Sequence, residues 1–178
     1  QRPREVGFYD TDGYAYFVQV LEDHAFVLGH PNGGLSIISI SDPEQPEEVG
    51  NYFLGTGTQR LDVSGDIAYA AVGLNGLVAI SVADPENPEE VEYYNPPGWV
   101  SDITVLGDYA FVADEENGLR VISIDDPEHP DEVGFYDTPD HALSVAVSGD
   151  FAYIADRDAG LRIISIADLE NPDEVGYY

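Results

Sequence analysis

Residues Gly118–Pro130 read GLRVISIDDPEHP, and Gly160–Pro172 repeat them as GLRIISIADLENP. In the first copy Val121, Ile122 and Ile124 put apolar side chains on both faces of an extended run, as do Ile163, Ile164 and Ile166 in the second. A strand with one wet face alternates apolar and polar residues. A strand that is apolar on both faces belongs to a sheet held between two other sheets. No helical periodicity competes with this reading anywhere in the chain.

The unit that contains this strand is repeated along the whole chain. Glu5-Val6-Gly7 returns as Glu48-Val49-Gly50, Glu90-Val91-Glu92, Glu132-Val133-Gly134 and Glu174-Val175-Gly176, in steps of 43, 42, 42 and 42 residues. The extra residue of the first repeat falls between Asp23 and Leu35. A β-type repeat of this period is the signature of propeller blades. In the fourth repeat strand A covers about Leu143–Val147, and the Gly149-Asp150 turn leads to strand B at Phe151–Ala155. A loop at Asp158-Ala159-Gly160 precedes strand C, Leu161–Ile166. The turn Asp168–Pro172 then leads to strand D, Glu174–Tyr178, and reads Asp-Pro-Glu-x-Pro in other repeats, at Asp42–Pro46, Asp84–Pro88 and Asp126–Pro130. Asp caps such a turn through its side chain and Pro fixes φ at the next position. The expected architecture is one all-β domain, a β-propeller of four blades of four antiparallel strands. The repeats run over about 5–47, 48–89, 90–131 and 132–173, with a terminal strand at 174–178 and one surplus outer-type strand at a terminus.

The quoted strand C segments, together with GDYAFVAD (Gly107–Asp114) and GDFAYIAD (Gly149–Asp156), resemble the LVIVD repeat over essentially the whole chain. The first repeat departs most, with Glu22-Asp23 where Gly-Asp is usual. The resemblance implies a β-propeller on a secreted or cell-surface protein. It carries no catalytic motif to any residue of this sequence.

Composition narrows the function. Six Lys+Arg stand against 35 Asp+Glu, a formal charge of −29 over 178 residues. All six are arginine: Arg2, Arg4, Arg60, Arg120, Arg157 and Arg162. A phosphate backbone is repelled by such a chain, so no nucleic-acid partner is expected, and anionic membrane surfaces are disfavoured too. No apolar run reaches the length of a membrane span. The absence of Cys excludes disulfides and thiolate chemistry. The lack of both Cys and Met is compatible with an extracellular or cell-surface chain, and the start at Gln1 instead of Met suits a processed chain or an excised fragment.

Five D-type strands exist for four A–B–C sets. Either Glu5, Val6, Gly7, Phe8 and Tyr9 complete the last blade, or Glu174, Val175, Gly176, Tyr177 and Tyr178 do, or the chain is a slice of a longer propeller. A free copy of such a strand wants a sheet edge. Donated to a second molecule it adds a strand by main-chain hydrogen bonding, and a head-to-tail contact that does not close makes a fibre. The opposing reading is that the spare strand caps an outer blade edge. The aromatic pairs that end each D strand, Phe8-Tyr9 to Tyr177-Tyr178, suit either outcome.

The D-to-A and B-to-C loops share one face, here called the top. It carries Asp10, Asp12, Tyr14, His30, Trp99, Asp114, Glu115, Glu116, Asp140, His141, Asp156 and Asp158. Calcium is the natural ion for clustered carboxylates, which makes Asp10, Asp12, Asp114, Glu116, Asp156 and Asp158 weak candidate ligands. Asp10-Thr11-Asp12-Gly13 lacks the remaining ligand positions of a calcium-binding loop. Arg60 and Asp102 share a column of the repeat and are expected to form an ion pair near the central channel. Arg120 and Arg162, equivalent at the start of strand C, should neutralise neighbouring acids. The four histidines, His24, His30, His129 and His141, share no metal spacing, and no nucleophile is paired with a base. The expectation is a non-enzymatic extracellular structural protein without a cofactor, assembling with itself through a terminal strand. The alternatives are a cell-surface propeller that binds a ligand or protein at its top loops, and a hydrolase or lyase using top-face acids.

Overall fold

The computed structural model describes residues 2–11, 13–29 and 34–178. Asp12 and His30 lie outside the described residues. Blade 1 is built from β1 (Ala15–Leu21), β2 (His24–Gly29), β3 (Gly34–Ser39) and β4 (Glu47–Phe53). Blade 2 holds β5 (Arg60–Ser64), β6 (Ile67–Ala71), β7 (Leu77–Ser81) and β8 (Glu89–Tyr94). Blade 3 holds β9 (Asp102–Leu106), β10 (Tyr109–Ala113), β11 (Leu119–Ser123) and β12 (Asp131–Tyr136), and blade 4 holds β13 (Ser144–Ser148), β14 (Phe151–Ala155), β15 (Leu161–Ser165) and β16 (Asp173–Tyr177). Each blade is a four-stranded antiparallel sheet in chain order. The fold is therefore a β-propeller of four blades, with one 3-10 turn at Arg157–Ala159.

The recurring Glu-Val-Gly is a β-bulge. Ile163 faces Gly176 and Ile164 faces Glu174, so Val175 is passed over, and Val49, Val91 and Val133 are passed over in the same way. The extra residue bends the outer strand. In blades 1 to 3 it also sends the valine into the apolar layer shared with the next blade.

Three apolar clusters hold the blades in series. The first joins blade 1 to blade 2, the second blade 2 to blade 3, and the third blade 3 to blade 4. Inner strands pack β1 on β5, β5 on β9 and β9 on β13, and among the described residues no comparable packing returns from β13 to β1. Among the described residues no apolar cluster joins blade 4 to blade 1. Among the described residues the four blades thus stand as a series in which blades 1 and 4 are not packed on each other.

The surplus strand is the N-terminal one. β16 pairs with β15 and completes blade 4. Residues 5–9 belong to no strand. They lie over the C-to-D turn of blade 1, where a methyl group added at Gly7 would come within 2.2 Å of the Pro43 carbonyl oxygen. The D-strand glycines meet the following blade in the same manner, Gly50 at the Pro85 oxygen and Gly134 at the Leu169 oxygen, each at 2.0 Å. Residues 5–9 therefore occupy the lane that the outer strand of a preceding blade would fill.

The A-to-B hairpins turn through a residue with positive φ: Gly65 at 57°, Gly107 at 60° and Gly149 at 58°. Blade 1 places Glu22 there at 52°. A side chain in this region costs about 1–2 kcal/mol, partly offset by the freedom glycine has when unfolded. We expect Glu22→Gly to stabilise the chain by roughly 0.5–1 kcal/mol in urea or thermal unfolding. An unchanged or lowered midpoint would show that Glu22 makes a compensating contact.

Candidate functional site

Equivalent side chains near the start of the four inner strands form a column along the inner edge of the series: Phe17, Arg60, Asp102 and Ser144. Around it lies an open pocket of about 370 Å³ lined by Gln59, Arg60, Trp99, Glu115 and Ser144, among others. The ion pair expected between Arg60 and Asp102 is not formed. The Arg60 guanidinium sits over the Phe17 ring, 5.3 Å from its centroid, and donates to the Gln59 carbonyl at 3.2 Å. Asp102 is buried and accepts from the Ser144 hydroxyl and from the Val145 and Ile103 N–H groups, the last two at 3.0 and 2.9 Å. A buried carboxylate filled by three donors has no further need of the arginine.

This use of Asp102 is one case of a wider device. Gln19 accepts from the Val63 N–H at 2.9 Å and donates to Asp62 at 2.8 Å. Asp62 in turn accepts from the Val105 N–H at 2.7 Å, and the Thr104 hydroxyl donates to the Val145 carbonyl at 3.0 Å. In a propeller the inner strands of adjacent blades are not paired as a sheet, so their backbone groups need side-chain partners. Polar residues of one inner strand supply them to the next. At the equivalent place blade 4 carries Ala146, which offers no such tie.

The top-face acids are engaged in a second set of ties. Asp114 and Asp156 hold equivalent positions and both are fully buried. Asp114 accepts from the Gly98 N–H at 3.2 Å and lies 3.7 Å from Arg120 Nε. Asp156 accepts from the Thr138 hydroxyl at 2.7 Å and the Asp140 N–H at 3.2 Å, with Arg162 Nε at 3.5 Å. Each acid pins its D-to-A loop to its B-to-C loop. Arg120 and Arg162 also reach Glu132 and Glu174 and stack on Phe135 and Tyr177, with ring centroids at 4.6 and 5.1 Å. Blades 1 and 2 have neither member of this Arg–Asp pair, carrying Gly29 with Ser36 and Val72 with Val78 instead. Within one chain the pair is present whole or missing whole, as expected of a buried charge that tolerates no unpaired partner.

The remaining candidate ligands do not converge. Glu116 is exposed and faces His141 Nε2 at 3.5 Å, Asp158 donates its backbone N–H to Asp140, and Asp10 lies exposed beside the N-terminal segment. Among the described residues no three His, Asp or Glu side chains gather as a metal site.

A ladder along the outer strands had no signal in sequence beyond its period. The Tyr52 hydroxyl donates to Glu90 of the next blade at 2.9 Å, and Tyr94 donates to Glu132 at 3.0 Å. Burial first, and the glutamate bond second, raises both phenols above their ordinary range. Tyr9, in the N-terminal segment, makes the same approach to Glu48 at 3.4 Å.

Burial pushes the Asp114 carboxyl up to about 6 against the pull of Arg120. The folded chain then holds that proton more tightly than the unfolded chain does. Its contribution to stability is full below the ordinary value of 3.8 and falls as pH rises toward about 6. Asp140 behaves oppositely, because its bond with His141 lowers it, so its contribution is lost as pH falls. Thermal unfolding across this range should show a decline with rising pH that is flattened in Asp114→Asn. Parallel profiles for the two proteins would refute the assignment.

The structure superposes on the computationally designed Ika4 protein with a TM-score of 0.73 at 5% identity, over 93% of this chain and 99% of that one. It superposes on the designed Ika8 protein with a TM-score of 0.71 at 6% identity, over 92% of this chain and 49% of that one. A periplasmic gluconolactonase of Pseudomonas aeruginosa matches with a TM-score of 0.73 at 16% identity, over 93% of this chain and 55% of that one. At these identities the likeness is one of fold, and the chain spans about half of the latter two. No curated protein matches the chain. The LVIVD repeat model matches four times, at residues 12–53, 55–96, 97–138 and 139–178, one match to each blade. This chain belongs to the LVIVD-repeat family.

Proposed function

We propose that this protein is a non-enzymatic extracellular structural module that assembles head to tail, lending residues 5–9 to a neighbouring molecule as an outer strand. The observation that carries the reading is the placement of those residues. They rest in an outer-strand lane through Gly7 on the Pro43 turn and Tyr9 on Glu48, and they belong to none of the strands of the four blades. Their sequence is that of an outer strand. Residues 5–11, EVGFYDT, are identical to residues 132–138, which include all of β12 except Asp131, and residues 5–9 differ from 174–178 only at Phe8, where the other copy has Tyr177. A segment with strand sequence, in a strand's position, is suited to β-augmentation.

A non-catalytic role is supported by the use of the inner-strand and loop carboxylates, which accept from backbone N–H groups and form ion pairs with arginines. A location outside the cell is supported by the absence of Cys and by the charge of −29. That charge also bears on assembly. Copies repel each other until salt screens them, with a Debye length of about 3 Å at 1 M, so association should strengthen with added salt. The second reading is ligand binding in the pocket at the channel mouth, where exposed Arg60 and half-buried Trp99 offer a cation and an aromatic edge.

Electron microscopy and light scattering of the full chain, of a chain lacking residues 1–10 and of Gly7→Ala test the proposal. Assemblies are expected for the full chain in molar salt, none for the truncated chain, and fewer for Gly7→Ala, whose new methyl group would strike Pro43. Far-UV circular dichroism should be unchanged, because all four sheets are complete without these residues. Single particles in every sample would sink strand donation and favour the pocket.

A further inference from the structure

Every internal joint of this molecule uses the same two columns of side chains. The leading face of a blade offers an aromatic residue from strand B and an apolar one from strand C, such as Tyr69 and Leu77 in blade 2 or Phe111 and Leu119 in blade 3. The trailing face of the next blade receives them with residues such as Ile103 and Ala110, or Val145 and Ala152. Both columns recur at the two ends of the chain without a partner. Leu77 and Leu119 are 2% and 0% exposed, whereas Leu161, in the same column of blade 4, is 37% exposed. On the trailing side Leu61 of blade 2 is 3% exposed, whereas Val18 of blade 1 is 59% exposed.

The two ends differ in one respect. The trailing face of blade 1 is partly roofed by residues 7–11, and between roof and face lies a largely apolar cavity of about 440 Å³. Its floor is Val18, Ala25, Val27, Ile38 and Ile40. These are the blade 1 counterparts of residues that blade 1 itself covers on blade 2. The outer lane of the absent blade is filled and its three inner lanes are empty.

We propose that the leading face of blade 4 from a second copy of this chain fills this cavity, and that two copies joined at both ends close one ring of eight blades. The proposal deepens the self-assembly reading above and rests on it. The occupant follows from the repeat: the face that fits the cavity is the one the chain carries at its other end, built from the same unit with Tyr153, Leu161 and Ile163 in the columns of Phe111, Leu119 and Val121. Closure follows from curvature. A head-to-tail contact closes when the subunits complete a rotation, and these four blades superpose on 49% of the Ika8 chain, so this fold accommodates a chain of about twice this length. The outer lane is already occupied, so the guest blade enters with its A, B and C strands. Residues 5–9 of the host then pair with β15 of the guest in place of β16, residue for residue. Ala146 supplies no polar tie at this joint, which leaves it held by apolar contact and by the exchanged strand.

The test measures mass in molar salt by light scattering and native mass spectrometry. The full chain should form a closed particle of twice 19.4 kDa. Leu161→Ser and Val18→Ser change the two faces separately. Both side chains are exposed in the single chain, so circular dichroism should stay as it was, and each variant should dissociate roughly tenfold more readily. An equimolar mixture of the two variants retains one unaltered joint and should associate better than either alone. Single copies at every salt concentration, open filaments, or pairs indifferent to both substitutions would each overturn the proposal. The chain lacking residues 1–10 separates the two readings. Pairs that survive the truncation but not the face substitutions would leave the joint standing and remove strand donation. Pairs lost on truncation yet indifferent to the face substitutions would remove the joint and leave donation.

Discussion

Burial of a sheet on both faces is the constraint from which the rest of this structure follows. Each blade is a small twisted sheet with apolar side chains above and below, and water is excluded from both only when a blade stands on each side. Phe26, Leu28, Leu35 and Ile37 meet Leu61, Val63, Ala68 and Ile80 across the first joint, and the two later joints repeat the arrangement. Such a series must end, and at its ends Val18 and Leu161 face solvent, while Ala25, Val27 and Ile38 of blade 1 lie buried beside the N-terminal segment. The end faces of blades 1 and 4 are a consequence of repetition, and they are the surfaces that the proposed joint between copies would bury.

Polar groups are arranged to serve these joints. The inner strands of adjacent blades leave backbone N–H groups toward the channel, and Gln19, Asp62 and Asp102 satisfy them. Farther out, tyrosine–glutamate bonds link outer strands, and buried Arg–Asp pairs fasten the loops of blades 3 and 4. Much of the acidity that looked available for ions is therefore structural. The exposed remainder gives a molecule that repels its own copies in dilute salt, and any joint between molecules has to overcome that repulsion through apolar contact.

The blades themselves were legible in sequence because each is specified locally. Apolar residues on both faces of Ile163–Ile166, a Gly-Asp turn and an Asp-Pro-Glu-x-Pro turn define three hairpins without reference to the rest of the chain. The LVIVD resemblance added the family. The site was much less legible. Arg60 and Asp102 share a column, and their opposite charges invited an ion pair. What decided otherwise was the offset between neighbouring inner strands, which brings the Val145 N–H and the Ser144 hydroxyl to Asp102 and lays Arg60 on Phe17. No spacing within a repeat encodes that offset.

Sequence by itself determined that there are four blades, that each has four strands, and that one outer strand is left over. It could not choose between the two copies, because Glu5–Tyr9 and Glu174–Tyr178 are nearly the same string and would satisfy the same edge. The tertiary structure chose. Residues 174–178 follow β15 by a short turn, so little chain entropy is lost in pairing them. Residues 5–9 could reach that edge only by bringing the opposite end of the series round to it. They settle instead on the blade beside them, at Pro43 and Glu48. Local pattern specifies a blade, whereas the order in which chain ends can reach an edge specifies which strand completes it.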